Sequence, residues 1–376
     1  MTRQIRPDVD GKRVATVQDA TVGVRDGRVS QANASDMDGW ALAGIVATPL
    51  RWVTGWLFFS AFWRRAVLAP AKLDPTSPLW NGKKINDFLP HSLGIGNMLE
   101  WLVTHPDMLQ VFLLGFTVVE ALVGLALLLG LATRFAALAT AVLSFGILLG
   151  AGWIGTTCLD EWQIGAAGIA GSFTVLLAGA GPWSLDRLWT RRFPRAARRP
   201  LSRLVATGPL GRDGRLGAVT RAAAALAVTG LLITLATNQV FAGGVWGPLH
   251  NDSKAPHLTL SNAALTPTGD VSLRVYRDGG PDTYGAFIVS ATVVDAAGAT
   301  VEVFDAQALA TLPRTAMTNY YINKVVPGGH ALVVPLAAKA DLRLAPAVPV
   351  GLSSGSYKVV LTDVSGVSWT TTARVP

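Results

Sequence analysis

The sequence predicts a membrane α-helical protein, a four-helix transmembrane bundle plus one anchor helix, followed by a C-terminal all-β sandwich-like domain. Three observations carry this reading. Half of the 376 residues are hydrophobic and only 15% are charged, with a mean hydropathy of +0.39, too apolar for a chain that is soluble throughout. Five segments approach the roughly 20 helical residues needed to cross a hydrocarbon core of about 30 Å. Past residue 243 the apolar runs shorten and alternate, which is the period-two pattern of strands.

Residues 1–40 balance six basic against six acidic side chains and contain no apolar h-region. A polar N-terminal tail without fixed structure, and without a cleaved signal, is expected there. The bundle domain, residues 41–186, carries four expected spans: Ile45–Trp63, Leu109–Ala132, Phe135–Ile154 and Gln163–Gly181. Arg51 alone interrupts the first and Glu120 alone the second, while Thr133-Arg134 leaves room only for a tight antiparallel hairpin between the second and third. Residues 187–221 hold ten arginines and read as a linker; residues 222–242 supply the fifth span, centred on Ala222–Phe241. Residues 243–376 are expected to form seven or eight short strands, closing on a hairpin of Ser356–Asp363 with Gly366–Arg374.

The charge distribution sets orientation and excludes one partner class. The formal charge of +8 sits almost wholly in the arginine-rich loop, and residues 243–376 balance nine basic against nine acidic residues, so no nucleic-acid surface is expected. Basic residues near span ends resist translocation. With the N-terminus inside, the inner segments carry 17 basic residues and the outer loops five: Arg64, Arg65, Lys72, Lys83 and Lys84. This predicts a multi-pass protein of the cytoplasmic membrane with a cytoplasmic N-terminus and an extracytoplasmic C-terminal domain.

Several chemistries lack their residues. A single cysteine, Cys158, excludes an internal disulfide, a Cys-x-x-Cys pair and a multi-cysteine cluster. All five histidines lie outside the expected spans, against a bis-histidine haem, and no Gly-x-Gly-x-x-Gly after a strand, Walker loop or His-Glu-x-x-His occurs. No haem, flavin or metal is therefore expected. Ionisable groups inside a membrane are the stronger signal. Arg51 lies one to two turns nearer the inner side than Glu120, within expected reach of its carboxylate. The pair would either fix helix register or line a quinone head-group pocket or proton route. The outer loop Arg64–Met108 also offers His91 and His105; its cations could hold an anionic substrate or simply contact lipid headgroups. Cys158, between Thr157 and Leu159-Asp160-Glu161, is a candidate nucleophile, although the two acids disfavour its thiolate.

The stretches Pro49-Leu50-Arg51-Trp52-Val53-Thr54-Gly55, Thr117-Val118-Val119-Glu120-Ala121-Leu122-Val123-Gly124, Gly130-Leu131-Ala132-Thr133-Arg134 and Gly181-Pro182-Trp183-Ser184-Leu185-Asp186 resemble, in this order, the DoxX/DoxD family of four-helix membrane proteins. The further span and β domain resemble DoxA, the second subunit of thiosulfate:quinone oxidoreductase. The resemblance implies oxidation of two thiosulfates to tetrathionate on the outer face, with electrons passed to membrane quinone as the only cofactor. It makes Cys158 and Glu120 candidate catalytic residues, Arg51 and Glu120 candidate quinone ligands, and Arg64, Arg65, His91 and His105 candidate substrate ligands. Membrane lipid, quinone and thiosulfate are the implied partners, with a homo-oligomer or terminal-oxidase association as further candidates. The alternative is a non-catalytic DoxX-type scaffold whose β domain binds an extracytoplasmic partner.

Overall fold

The computed structural model describes residues 39–155, 160–210 and 216–376. Its first helices, α1 (Gly39–Val46) and α2 (Thr48–Phe62), are bent by 43° at Ala47. The bend has a local cause: Pro49 stands in the first turn of α2, where its ring cannot continue the preceding helix but suits a helix start. Gly39 and Trp40, inside what reads as tail, are already helical, and α2 runs on into a π-helical turn, Trp63–Leu68.

The stretch between α2 and the next long helix is not featureless. It holds α3 (Gly82–Asp87) and α4 (Gly96–Thr104) before α5 (Pro106–Leu129), α6 (Thr133–Ala151) and α7 (Asp160–Ala178). Helix α5 packs along α2, α6 along α7, and α2 and α7 also touch, so these four helices close around one another. Close approach depends on small residues. A Cβ on Gly124 would lie 2.4 Å from Phe59 N, and one on Gly55 would lie 2.9 Å from Leu128 N. The α5–α6 hairpin turns through Gly130 (φ 64°) and Ala132 (φ 45°), as left-handed C-caps do.

After α7 come α8 (Leu185–Arg192), α9 (Pro194–Ala197) and α10 (Pro200–Val205), then α11 (Leu216–Phe241). The arginine-rich stretch that reads as a linker is thus largely helical up to Val205. Among the described residues three helices, α5, α6 and α11, are long and apolar enough to cross a membrane, four if the bent α1–α2 pair is one span. Helix α7 falls short because it opens Asp160-Glu161-Trp162-Gln163. Helix α11 lies outside the other four, against α7.

Strands β1 (His257–Leu265), β2 (Val271–Gly279), β8 (Lys339–Leu344) and β5 (Met317–Asn319) form one antiparallel sheet in the order β1-β2-β8-β5. The second runs β10-β9-β3-β7-β6, with β4 also paired to β3; its members are β3 (Ala286–Val294), β4 (Thr300–Phe304), β6 (Val326–Pro327), β7 (Leu332–Val334), β9 (Gly355–Asp363) and β10 (Ser368–Val375). Alternation builds the core: every second residue of β2 from Val271 is buried, and Val275, Ile288, Val293, Val359 and Leu361 meet inside. A short helix, α12 (Ala306–Ala310), is capped by Asp305, whose carboxylate accepts from Ala308 N.

The β domain is not merely tethered by α11, as a single anchor implies, but sits directly on one end of the bundle. Leu336 and Ala337 are buried with Leu148, Trp153, Ile154, Ile169 and Phe241. Tyr321 is buried with Trp80, Leu102, Val103, Leu109 and Leu113.

Candidate functional site

Among the described residues four charged side chains are buried in the helical unit: Arg51, Glu120, Arg134 and Asp186. Three of them close helix ends. The guanidinium of Arg51 donates to Leu128 O (3.0 Å) and Leu127 O at the C-terminus of α5, and to Trp183 O (2.7 Å). Arg134 donates to Leu176 O (2.8 Å) near the end of α7, to Gly208 O (2.8 Å) and to Arg203 O. The Asp186 carboxylate accepts from Ala132 N and Thr133 N, both at 2.8 Å, at the start of α6. Cations on C-terminal carbonyls and an anion on N-terminal amides satisfy orphan groups and complement both dipoles. Most of the charged motif residues that carry the family resemblance are therefore architectural.

The expected Arg51–Glu120 pair is not formed. Helix register explains this: Arg51 faces Leu127 and Leu128, and Glu120 lies seven residues further along α5, about 10 Å away at 1.5 Å per residue. Glu120, 3% exposed, pairs instead with Arg65 from the π-helical turn, Nη1 to Oε2 at 2.8 Å. The same Nη1 reaches Thr117 Oγ1 at 2.8 Å, and that hydroxyl donates in turn to Leu113 O at 2.6 Å. The π turn carries Arg65 back over α5, with its guanidinium carbon 5.9 Å from the Phe116 ring centre. Glu120 Oε1 takes no hydrogen bond among the described residues, leaving one carboxylate oxygen free for a ligand or proton.

The other sequence candidates fall apart spatially. Arg64 is exposed and, among the described residues, donates only to Ser60 O (3.3 Å). His105 stacks on Trp101, 4.8 Å between ring centres, and its Nδ1 bonds Trp101 O, a local helix-end contact. His91 belongs to the junction between the units: its ring lies edge-on to Trp153 at 4.8 Å and its Nε2 bonds Asp278 O at 2.5 Å. Cys158 lies outside the described residues. Its loop starts from Gly155, whose carbonyl accepts from Ser253 Oγ of the β domain at 2.6 Å.

A polar junction goes unmarked in the sequence. Asn86 Nδ2 donates to Ala337 O (3.0 Å), and its Oδ1 accepts from Asn323 N (3.0 Å). Asn323 Nδ2 donates to Asp87 Oδ1 (2.7 Å) and Leu336 O (2.8 Å). Lys84 pairs with Asp282, and Tyr321 donates to Glu100 Oε1. Arg277, buried beneath, donates to Tyr284 O (2.7 Å) and Pro281 O (2.8 Å), so it shapes the loop that presents Asp278 and Asp282 to the helices. Burial lowers Arg277 to about 10, still charged at neutral pH. Burial pushes the Asp87 carboxyl up to about 7, against Lys84, which pulls it down. Burial and the Glu100 carboxylate raise the Tyr321 phenol, keeping it a neutral donor. Among the described residues no group of three or more His, Cys, Asp or Glu side chains could hold a metal ion.

Residues 46–207 match the family model of the TQO small subunit DoxD, and residues 241–372 match that of the TQO small subunit DoxA. The two matches follow one another along the chain and meet in space at the junction just described.

Proposed function

The chain belongs to the DoxD and DoxA families, joined in tandem in one polypeptide, and from that premise we propose that it is itself a thiosulfate:quinone oxidoreductase. Two thiosulfate dianions and a quinone with two protons become tetrathionate and quinol. The observation that carries the quinone end is the half-satisfied Glu120. It is a buried carboxylate with one oxygen on Arg65 and the other without a hydrogen bond among the described residues, inside a helix apolar enough to span a membrane. A carboxylate so placed can hydrogen-bond a quinone head group or relay a proton to it. Arg65 takes the place that the sequence gives to Arg51, because both Nη groups of Arg51 are spent on carbonyls.

The bundle and α11 are read as crossing the cytoplasmic membrane, with the N-terminus inside and the β domain outside. On this reading thiosulfate arrives at the face where the β domain sits, near Arg64, Lys72 and Lys83. Cys158 is the candidate for sulfur coupling. Its thiolate and one thiosulfate lose two electrons to the quinone and form a Cys–S–S–sulfonate. A second thiosulfate attacks that disulfide, releasing tetrathionate and restoring the thiolate. The test is reduction of a soluble quinone analogue by the purified full-length chain with thiosulfate as sole donor. Thiosulfate-dependent turnover with tetrathionate as product supports the reading; inert, folded protein returns the chain to the scaffold alternative.

A further inference from the structure

We infer that the helical collar from Ser184 to Val205 is a binding surface for anionic phospholipid headgroups at the membrane edge. The inference does not depend on the proposed reaction. Helix α8 sets Leu185, Leu188 and Trp189 at i, i+3 and i+4, and all three are exposed, Leu188 by 65%. Phe193 continues that side, its ring 6.3 Å from Trp189, and Leu201 on α10 is 71% exposed. Between these apolar groups stand Arg191, Arg192, Arg195, Arg198 and Arg199, all exposed. None of the five forms a salt bridge among the described residues. The collar's one acid, Asp186, is buried and turned inward onto the α6 amides.

Both ends of the collar are fixed to the bundle. At its start, Asp186 holds the α5–α6 hairpin and Trp183 O accepts from Arg51. In its last turn Arg203 O, and just past its end Gly208 O, accept from Arg134, while Thr207 Oγ1 accepts from Ala180 N. The surface is therefore held at the level where two apolar membrane helices end and turn. Exposed leucine and aromatic side chains interleaved with guanidinium groups that lack a carboxylate partner among the described residues match, at that level, the boundary between acyl chains and phosphate. A nucleic-acid partner would use the arginines but leave the leucines in water.

The test uses the full chain in nanodiscs of phosphatidylcholine with or without phosphatidylglycerol. We expect a higher unfolding temperature in the anionic discs, and phosphatidylglycerol retained through detergent purification and detected by native mass spectrometry. Joint replacement of the five exposed arginines by glutamine should abolish the temperature gap and reduce retained anionic lipid several-fold. Leu188→Asp should diminish both. Equal unfolding temperatures in the two disc types, or an unchanged gap in the five-residue variant, would overturn the inference. So would inorganic phosphate reproducing the stabilisation in phosphatidylcholine discs, which would mark a plain anion site.

Discussion

Replacing Asp87 by asparagine should remove most of a pH dependence built into the junction between the helices and the β domain. In the folded chain Asp87 accepts from Asn323 Nδ2 at 2.7 Å, and burial pushes its carboxyl from an ordinary 3.8 up to about 7. The folded state therefore keeps a proton that the unfolded chain releases. Stability contributed by this group is full below about pH 4 and declines as pH rises to about 7, with no further loss above. At about 1.4 kcal/mol per pH unit the largest possible loss is roughly 4 kcal/mol. Asp87 is only partly enclosed, so about half of that, ~2 kcal/mol, should be realised. Asparagine keeps an acceptor for Asn323 and carries no charge. The assay is thermal unfolding in detergent between about pH 5 and 8. The wild-type midpoint should fall with pH, Asp87→Asn should be nearly flat, and the variant should be the more stable form at the alkaline end. Parallel profiles for the two proteins would refute the argument, because every other titrating group is common to both.

Glu120→Gln should fold but lose at least tenfold in thiosulfate-dependent quinone reduction. It leaves Arg65 without its anion, so the double variant Glu120→Gln/Arg65→Gln should recover stability without recovering turnover; recovered turnover would make Glu120 structural. Gly124→Ala places a methyl 2.4 Å from Phe59 N, and should cost about 1–3 kcal/mol by forcing α2 from α5. Gly115→Ala on the same helix, with nothing within 4 Å of its Cβ position, should be neutral, and both are read by thermal unfolding. Cys158→Ser should abolish tetrathionate formation while leaving the fold intact, and near-normal turnover would eliminate the covalent route.

What the sequence reveals depends on whether the signal is periodic and local. Strands β2, β3, β9 and β10 are legible because alternation over eight or nine residues marks an inner and an outer face. Strands β5, β6 and β7, two or three residues long, carry no such period. The charges in the helices are equally visible, but their partners are not. Whether Arg51 meets Glu120 or the Leu127 and Leu128 carbonyls turns on a helix register set by Gly55 and Gly124, and hydropathy does not encode register. Arg65 reads as an outer-loop cation because nothing in Trp63-Arg64-Arg65 announces the π turn that folds it back. The junction is the least legible part. Asn86 and Asn323 meet across 237 residues, and neither belongs to a motif.

In the reaction we propose, one polypeptide carries electrons from thiosulfate to quinone. The most direct measurement counts products from the purified chain alone in proteoliposomes containing quinone, supplied with thiosulfate. One tetrathionate is expected for each quinol formed, with two thiosulfates consumed. Quinol formed without tetrathionate, or no quinol from a folded and fully inserted chain, would contradict it.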